Sequence, residues 1–116
     1  MAKRGLFVGV DVGGTKILSC PLILEEKTYK ILGEEKKKTK HWKGITDVID
    51  RIVEAVQGSL KKTGLTVKEV EGIGLGLPGA VDAEQGIVLF APNIGWKKVH
   101  LKKILEGELK VPCYLD

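Results

Sequence analysis

Apolar residues follow two different periods along this chain, and the switch between them sets out the elements. Leu6 to Val12, Lys16 to Leu24 and Tyr29 to about Lys38 are apolar-rich or alternating runs. They predict three strands, joined by a Gly13-Gly14 turn and by Glu25-Glu26-Lys27, in an antiparallel meander. Pro21 within the second run predicts an edge position or a bulge, because proline cannot donate to a ladder. From Ile45 onward the period lengthens: Val48, Ile49, Ile52, Val53, Val56 and Leu60 follow Ile45 at offsets of 3, 4, 7, 8, 11 and 15. That is one face of an amphipathic helix over Thr46 to Thr63, with Thr46 as N-cap and Gly64 as its stop. Asp47, Asp50 and Glu54 fall off the stripe, which gives them a solubilising role. Gly72 to Leu77 reads as a buried strand, Pro78 to Lys98 as a loop-rich span, Leu101 to Glu106 as a short helix, and Val111 to Leu115 as a last buried strand. Strand, helix and buried strand in succession imply a crossover into a parallel sheet. The predicted class is α/β, a mixed sheet with three antiparallel strands followed by parallel strands and crossover helices.

Length and composition change this picture little. The 116 residues suit one domain, 43% hydrophobic and 29% charged, as in a soluble globular protein. No apolar run approaches the roughly 20 residues of a membrane span. Met1-Ala2-Lys3-Arg4 lacks the apolar stretch of a signal peptide, so a cytoplasmic location without membrane partners is expected. Cys20 and Cys113 lie far apart without metal-ligand spacing and read as reduced core residues, with a disulfide as the alternative. The net charge of +4 is concentrated in Glu34-Glu35-Lys36-Lys37-Lys38-Thr39-Lys40-His41-Trp42-Lys43. A basic stretch beside an aromatic can contact nucleic acid. Two glutamates open this one and no arginine lies in it, which favours a solvated, edge-protecting strand end and no nucleic-acid partner.

Chemistry concentrates in three stretches. Gly9-Val-Asp-Val-Gly-Gly-Thr-Lys16 puts the Asp11 carboxylate near the end of a strand and a side-chain-poor turn after it. Gly13 and Gly14 permit φ > 0 and leave N–H groups unshielded, Thr15 offers a hydroxyl and Lys16 a charge. These are the parts of a polyphosphate and metal-ion cradle, with Asp11 suited to a hydrated Mg²⁺. A plain Gly-Gly hairpin with a solvated lysine is the alternative. A P-loop is excluded, since Gly-x-x-x-x-Gly-Lys-Ser/Thr and an immediate helix are both missing. Gly74, Gly76 and Gly79 form Gly-x-Gly-x-x-Gly, yet Pro78 lacks an N–H and Gly79 enters a non-helical Val-Asp loop, so a dinucleotide turn is excluded too. A Pro-Gly turn at the carboxyl edge of a sheet, where open α/β sheets bind ligands, fits better. In Ala91-Pro92-Asn93-Ile94-Gly95-Trp96, the Asn93 amide both donates and accepts, as a sugar hydroxyl requires, although a turn asparagine needs no ligand.

In this order and spacing, Asp11-x-Gly13-Gly14-Thr15-Lys16, Gly74-x-Gly76-x-Pro78-Gly79-x-x-Asp82 and Ala91-Pro92-Asn93-x-Gly95-Trp96 resemble the amino-terminal half of the ROK family (repressors, open reading frames, kinases). The resemblance runs from Val8 to Asp116. It implies a ribonuclease H-like, actin-like ATPase lobe, with residues 1–116 as the first lobe of a two-lobe sugar kinase. It further implies an enzyme that uses ATP and Mg²⁺ to phosphorylate a hexose, glucose at its 6-hydroxyl in a glucokinase. Asp11, Gly13, Gly14, Thr15 and Lys16 would then face the ATP phosphates, with Asp11 holding Mg²⁺ through water, while Gly79 and Asn93 would line the sugar pocket. Family members carry an Asn-Asp pair after the strand matching Val111 to Leu115. By that register the catalytic base follows Asp116 by two residues, so no catalytic residue is expected within this chain. The adenosine-binding lobe, further sugar ligands and a structural zinc cluster would also lie beyond it, leaving the lobe alone inactive and the complete protein a homo-oligomer. A sugar-sensing ROK regulator and a non-catalytic sugar-binding module are the alternatives. Regulators place a DNA-binding module ahead of this domain, and a first strand beginning within ten residues of Met1 favours the enzyme.

Overall fold

The antiparallel meander forms because the two apolar runs flanking Gly13-Gly14 alternate in phase. In the computed structural model, which describes residues 5–116, β1 (Gly5–Val12) and β2 (Lys16–Leu24) pair antiparallel from Gly5 opposite Leu24 to Val12 opposite Ile17. Met1–Arg4, read above for a signal peptide, lie outside the described residues. The third run divides in two: β3 (Tyr29–Ile31) pairs with Leu22–Leu24, and β4 (Glu35–Lys38) pairs with Lys16–Ser19. Pro21 explains the division. Its carbonyl accepts the Leu32 N–H at 2.9 Å, so its donor-less nitrogen faces the same side, where the partner strand is interrupted. Pro21 is therefore neither on an edge nor in a bulge.

The periodic stretch becomes α1 (Ile45–Lys62), which packs on β2, β4 and β1. Its N-cap is Gly44 rather than Thr46. The chain leaves a short 3₁₀ turn at His41–Lys43 and reverses at Gly44 with φ 102°, a conformation open to glycine, and the Gly44 carbonyl accepts the Val48 N–H at 3.2 Å. A buried hydroxyl pair, Ser19 Oγ to Ser59 Oγ at 2.9 Å, ties helix to sheet.

Beyond α1, β5 (Gly72–Gly76) joins β1 in parallel, Phe7 opposite Gly72 through Asp11 opposite Gly76. The span read as loop holds a second, three-stranded antiparallel sheet of β6 (Ala80–Asp82), β7 (Ile87–Ala91) and β8 (Trp96–Val99), with a 3₁₀ turn at Pro92–Ile94. Then α2 (Leu101–Leu109) runs longer than its apolar pattern and β9 (Cys113–Leu115) pairs parallel with β5. The main sheet has the order β3-β2-β1-β5-β9, with β4 also on β2. Its helix-covered face carries Leu6, Val8, Val10, Val12, Ile17, Ile73, Leu75, Cys113 and Leu115, all buried against residues such as Ile52, Val56 and Leu105. Both cysteines are free; Cys113 is core, but Cys20 lies half-buried on the opposite face.

Candidate functional site

Three parallel strands end on one edge of the main sheet, and Asp11, Lys16 and Asp116 stand there. Asp11 stands opposite Gly76, and Leu75 stands opposite Leu115, so Asp116 follows at the same level. The Asp116 N–H donates to the Leu75 carbonyl at 2.8 Å, and the Leu77 N–H to the Asp116 carbonyl at 3.1 Å. The β1–β2 hairpin projects from this edge, closed by the Gly13 N–H donating to the Lys16 carbonyl at 2.9 Å. Gly13 and Gly14 do not take the positive φ that the sequence allowed; the described glycines that do are Gly44, Gly64, Gly86 and Gly95. Their use is closeness: a Cβ on Gly13 would sit 3.0 Å from the Lys16 carbonyl oxygen.

The hairpin is held from the side by a residue that no motif singled out. Thr39, buried immediately after β4, donates its hydroxyl to the Gly13 carbonyl at 2.7 Å and its N–H to the Thr15 carbonyl at 2.9 Å. In sequence it sits inside the lysine cluster, where the surrounding charges suggest a solvated face. A threonine among lysines is the single local signal of this anchor.

Gly14 brings the hairpin to the third motif. A Cβ there would lie 3.5 Å from both Cβ and the carbonyl oxygen of Asn93. Asn93 occupies the Pro92–Ile94 turn, which ends at Gly95 with φ 71°. Gly79 approaches the same segment so closely that a Cβ would come within 2.2 Å of the Phe90 carbonyl oxygen and 2.8 Å of Ala91 Cα. All seven predicted site residues, Asp11, Gly13, Gly14, Thr15, Lys16, Gly79 and Asn93, thus gather at the hairpin and the turns facing it.

Their chemistry is uncommitted. The side chains of Asp11, Thr15, Lys16, Asn93 and Asp116 are exposed and make no hydrogen bond or ion pair among the described residues. The Gly14 and Thr15 N–H groups donate to no backbone carbonyl there either. Free N–H groups, a hydroxyl and an ammonium suit phosphate oxygens. No group of three or more His, Cys, Asp or Glu placed to hold a metal ion occurs among the described residues. An exposed Asp11 carboxylate at a phosphate cradle fits Mg²⁺, which keeps most of its water and needs only one or two carboxylates, and does not fit a full protein cage.

The sequence pattern of the ROK family matches residues 7–116. The chain belongs to the ROK family. As a ROK domain it is 34% identical over 110 residues to a glucokinase of Halalkalibacterium halodurans, covering 95% of this chain and 32% of that protein. It is also 31% identical over 112 residues to a xylose repressor of Caldicellulosiruptor bescii, covering 97% of this chain and 27% of the repressor. Among solved structures, a ROK glucokinase from Streptomyces griseus in complex with glucose and AMPPNP superposes with a TM-score of 0.79 at 36% identity, over 97% of this chain and 33% of that one. The chain therefore spans about a third or less of these ROK relatives. The mixed α/β architecture is that of the ROK actin-like ATPase kinases. No helix among the described residues is long and apolar enough to cross a membrane.

Proposed function

We propose that this ROK domain is the amino-terminal lobe of an ATP-dependent hexose kinase, with glucose as its acceptor. The observation that carries the reading is the closeness of Gly14 to Asn93, where an added Cβ would lie 3.5 Å from the Asn93 Cβ and carbonyl oxygen, so that a phosphate-type hairpin sits beside the turn bearing the Asn93 amide. Phosphoryl transfer asks a protein chiefly for alignment and charge neutralisation, and this edge offers residues for each. Lys16, the Thr15 hydroxyl and the Gly14 and Thr15 N–H groups would orient the phosphates. Asp11 would hold a hydrated Mg²⁺, which supplies neutralisation of the transferring group. Asn93, on the turn packed against Gly79, would hold the sugar beside them, and a base following Asp116 would take the proton of the attacking hydroxyl. The glucokinase relatives and the glucose and AMPPNP carried by the Streptomyces griseus enzyme support this assignment. A cytoplasmic, self-assembling enzyme belongs to the same proposal.

The test is glucose-dependent ADP release by the full-length protein with ATP and Mg²⁺. We expect Asp11→Asn to lower kcat by about 100-fold or more, the scale on which electrostatic groups act in such reactions, and Asn93→Ala to raise the KM for glucose. A second reading, a sugar-sensing regulator, is favoured by the repressor relative. Saturable sugar binding that depends on Asn93, with no phosphoryl transfer, would establish that reading and overturn the kinase.

A further inference from the structure

Lys38 occupies an unfavourable position for a lysine unless an anion visits it. In the β2–β4 ladder it stands directly opposite Lys16. The neighbouring pair, Thr15 and Thr39, is joined by the Thr39 N–H at 2.9 Å, so Lys16 and Lys38 form the next, non-hydrogen-bonded pair. In that setting Cα atoms approach to about 4.5 Å and side chains are at their closest. Like charges directly opposite each other destabilise a sheet. Neither ammonium has an acidic partner among the described residues. Lys36, two residues along the same face of β4, pairs weakly with Glu34 at 4.0 Å. Glu35 points to the other face and holds Lys62 at 2.8 Å. Arg51 donates to the Lys38 carbonyl at 3.3 Å from the helix side, but Asp47 neutralises it at 2.7 Å. On the lysine face Asp11 stands opposite Leu18, two residues along β2 from Lys16, and makes no ion pair with either lysine.

We propose that Lys38 and Lys16 together form a two-ammonium site for a condensed phosphate, with Lys38 as a phosphate-binding residue additional to the hairpin. The ligand class is a chain of pyrophosphate-linked oxyanions, from either a nucleoside triphosphate or free inorganic polyphosphate. Two ammonium groups on adjacent strands can each engage a different phosphate of the chain, which a single phosphate could not exploit. The proposal rests on the kinase reading only in expecting phosphates at this hairpin.

The test is calorimetric titration of the full-length protein with sodium tripolyphosphate, ATP and AMP at fixed ionic strength. Lys38→Gln is expected to weaken tripolyphosphate by about 10-fold, the loss of one solvent-exposed charge-assisted hydrogen bond. Lys68→Gln, in the 3₁₀ turn Val67–Glu69 that precedes the amino end of β5 and so away from the hairpin edge, should leave it unchanged. Without anion, Lys38→Gln should melt higher than the parent, because it relieves the cross-strand repulsion. ATP binding more tightly than tripolyphosphate identifies a nucleotide source; equal affinity identifies free polyphosphate, and in both cases AMP binds much more weakly. Unchanged affinity in Lys38→Gln, or an equal loss in Lys68→Gln, overturns the proposal. Failure of the kinase reading is separate, appearing as Lys38-dependent binding without any glucose phosphate formed.

Discussion

At the scale of single residues, the site depends on contacts that hold its backbone as much as on groups that face a ligand. Thr39→Val keeps the shape of the buried side chain but leaves the partly buried Gly13 carbonyl without its hydroxyl donor. We expect a loss of about 1–3 kcal/mol in urea unfolding, together with weaker tripolyphosphate binding, while Thr39→Ser retains both. Gly79→Ala would press a methyl group into the Phe90 carbonyl, 2.2 Å away, and must displace β7 or the Pro78 turn. An overpacking cost of about 1–3 kcal/mol and a raised KM for glucose follow, since Asn93 rides on that same strand end. A normal melting temperature in Gly79→Ala would refute the packing role. Gly79 and Asn93 were legible in the sequence as turn and amide, because motif spacing is local. The reason for Gly79, a backbone eleven residues away, was not. Thr39 showed only as a threonine among lysines, since its partner lies 26 positions earlier and its neighbours are charged.

At the scale of elements, β9 presents Asp116 and is lashed to α2 by one cluster. The Glu106 carboxylate accepts the Cys113 N–H at 2.8 Å and the Lys102 ammonium at 3.2 Å, while Lys102 also donates to the Cys113 carbonyl. The Cys113 N–H, and after it Lys102, hold the Glu106 carboxyl below its usual range. The unfolded chain then binds a proton at higher pH than the folded one, so this contribution is complete above the ordinary carboxylate pKa and is lost as pH falls through the lowered value. Glu106→Gln, which can still accept the N–H, should flatten the acid limb of a melting-temperature profile. The Cys113 thiol behaves oppositely. Burial, assisted by Glu106, pushes it up to about 11 from an ordinary value of 9.0. Stability is fully present below pH 9 and declines toward pH 11 as the unfolded thiol alone ionises, and Cys113→Ala should remove that decline. The strongly periodic α1 and the β1–β2 hairpin were legible because their patterns are long. The split between β3 and β4 was not, because it is imposed by Pro21 on a neighbouring strand. The sheet of β6, β7 and β8 hid in a Gly- and Pro-rich span because its strands have only 3, 5 and 4 residues.

At the scale of the whole molecule, the two faces of the main sheet are unequal. Both helices pack on one face, as the α1–α2, α1–β2 and α2–β9 contacts require. The other face carries Phe7, Leu22, Leu24, Tyr29 and Tyr114 around Gly9, Gly72 and Gly74, forming an apolar hollow of about 470 Å³. The β2 sequence anticipates this, since Leu22, Ile23 and Leu24 are apolar on both faces, the pattern of a strand meant to be covered twice. Exposed apolar patches of this kind drive association when nothing else covers them. Residues 1–116 by themselves are therefore expected to self-associate reversibly as concentration rises. Leu24 and Tyr29 are 41% and 65% exposed, so Leu24→Glu and Tyr29→Glu remove little packing within the domain. Both should lower the association constant in sedimentation velocity while leaving the unfolding free energy within about 0.5 kcal/mol of the parent, as for ordinary surface changes. A monomer that persists at millimolar concentration in the parent chain would show that this face is tolerated in water. Association unchanged by either glutamate would place the contact elsewhere, with the exposed Leu89 and Phe90 of β7 as the next surface to alter.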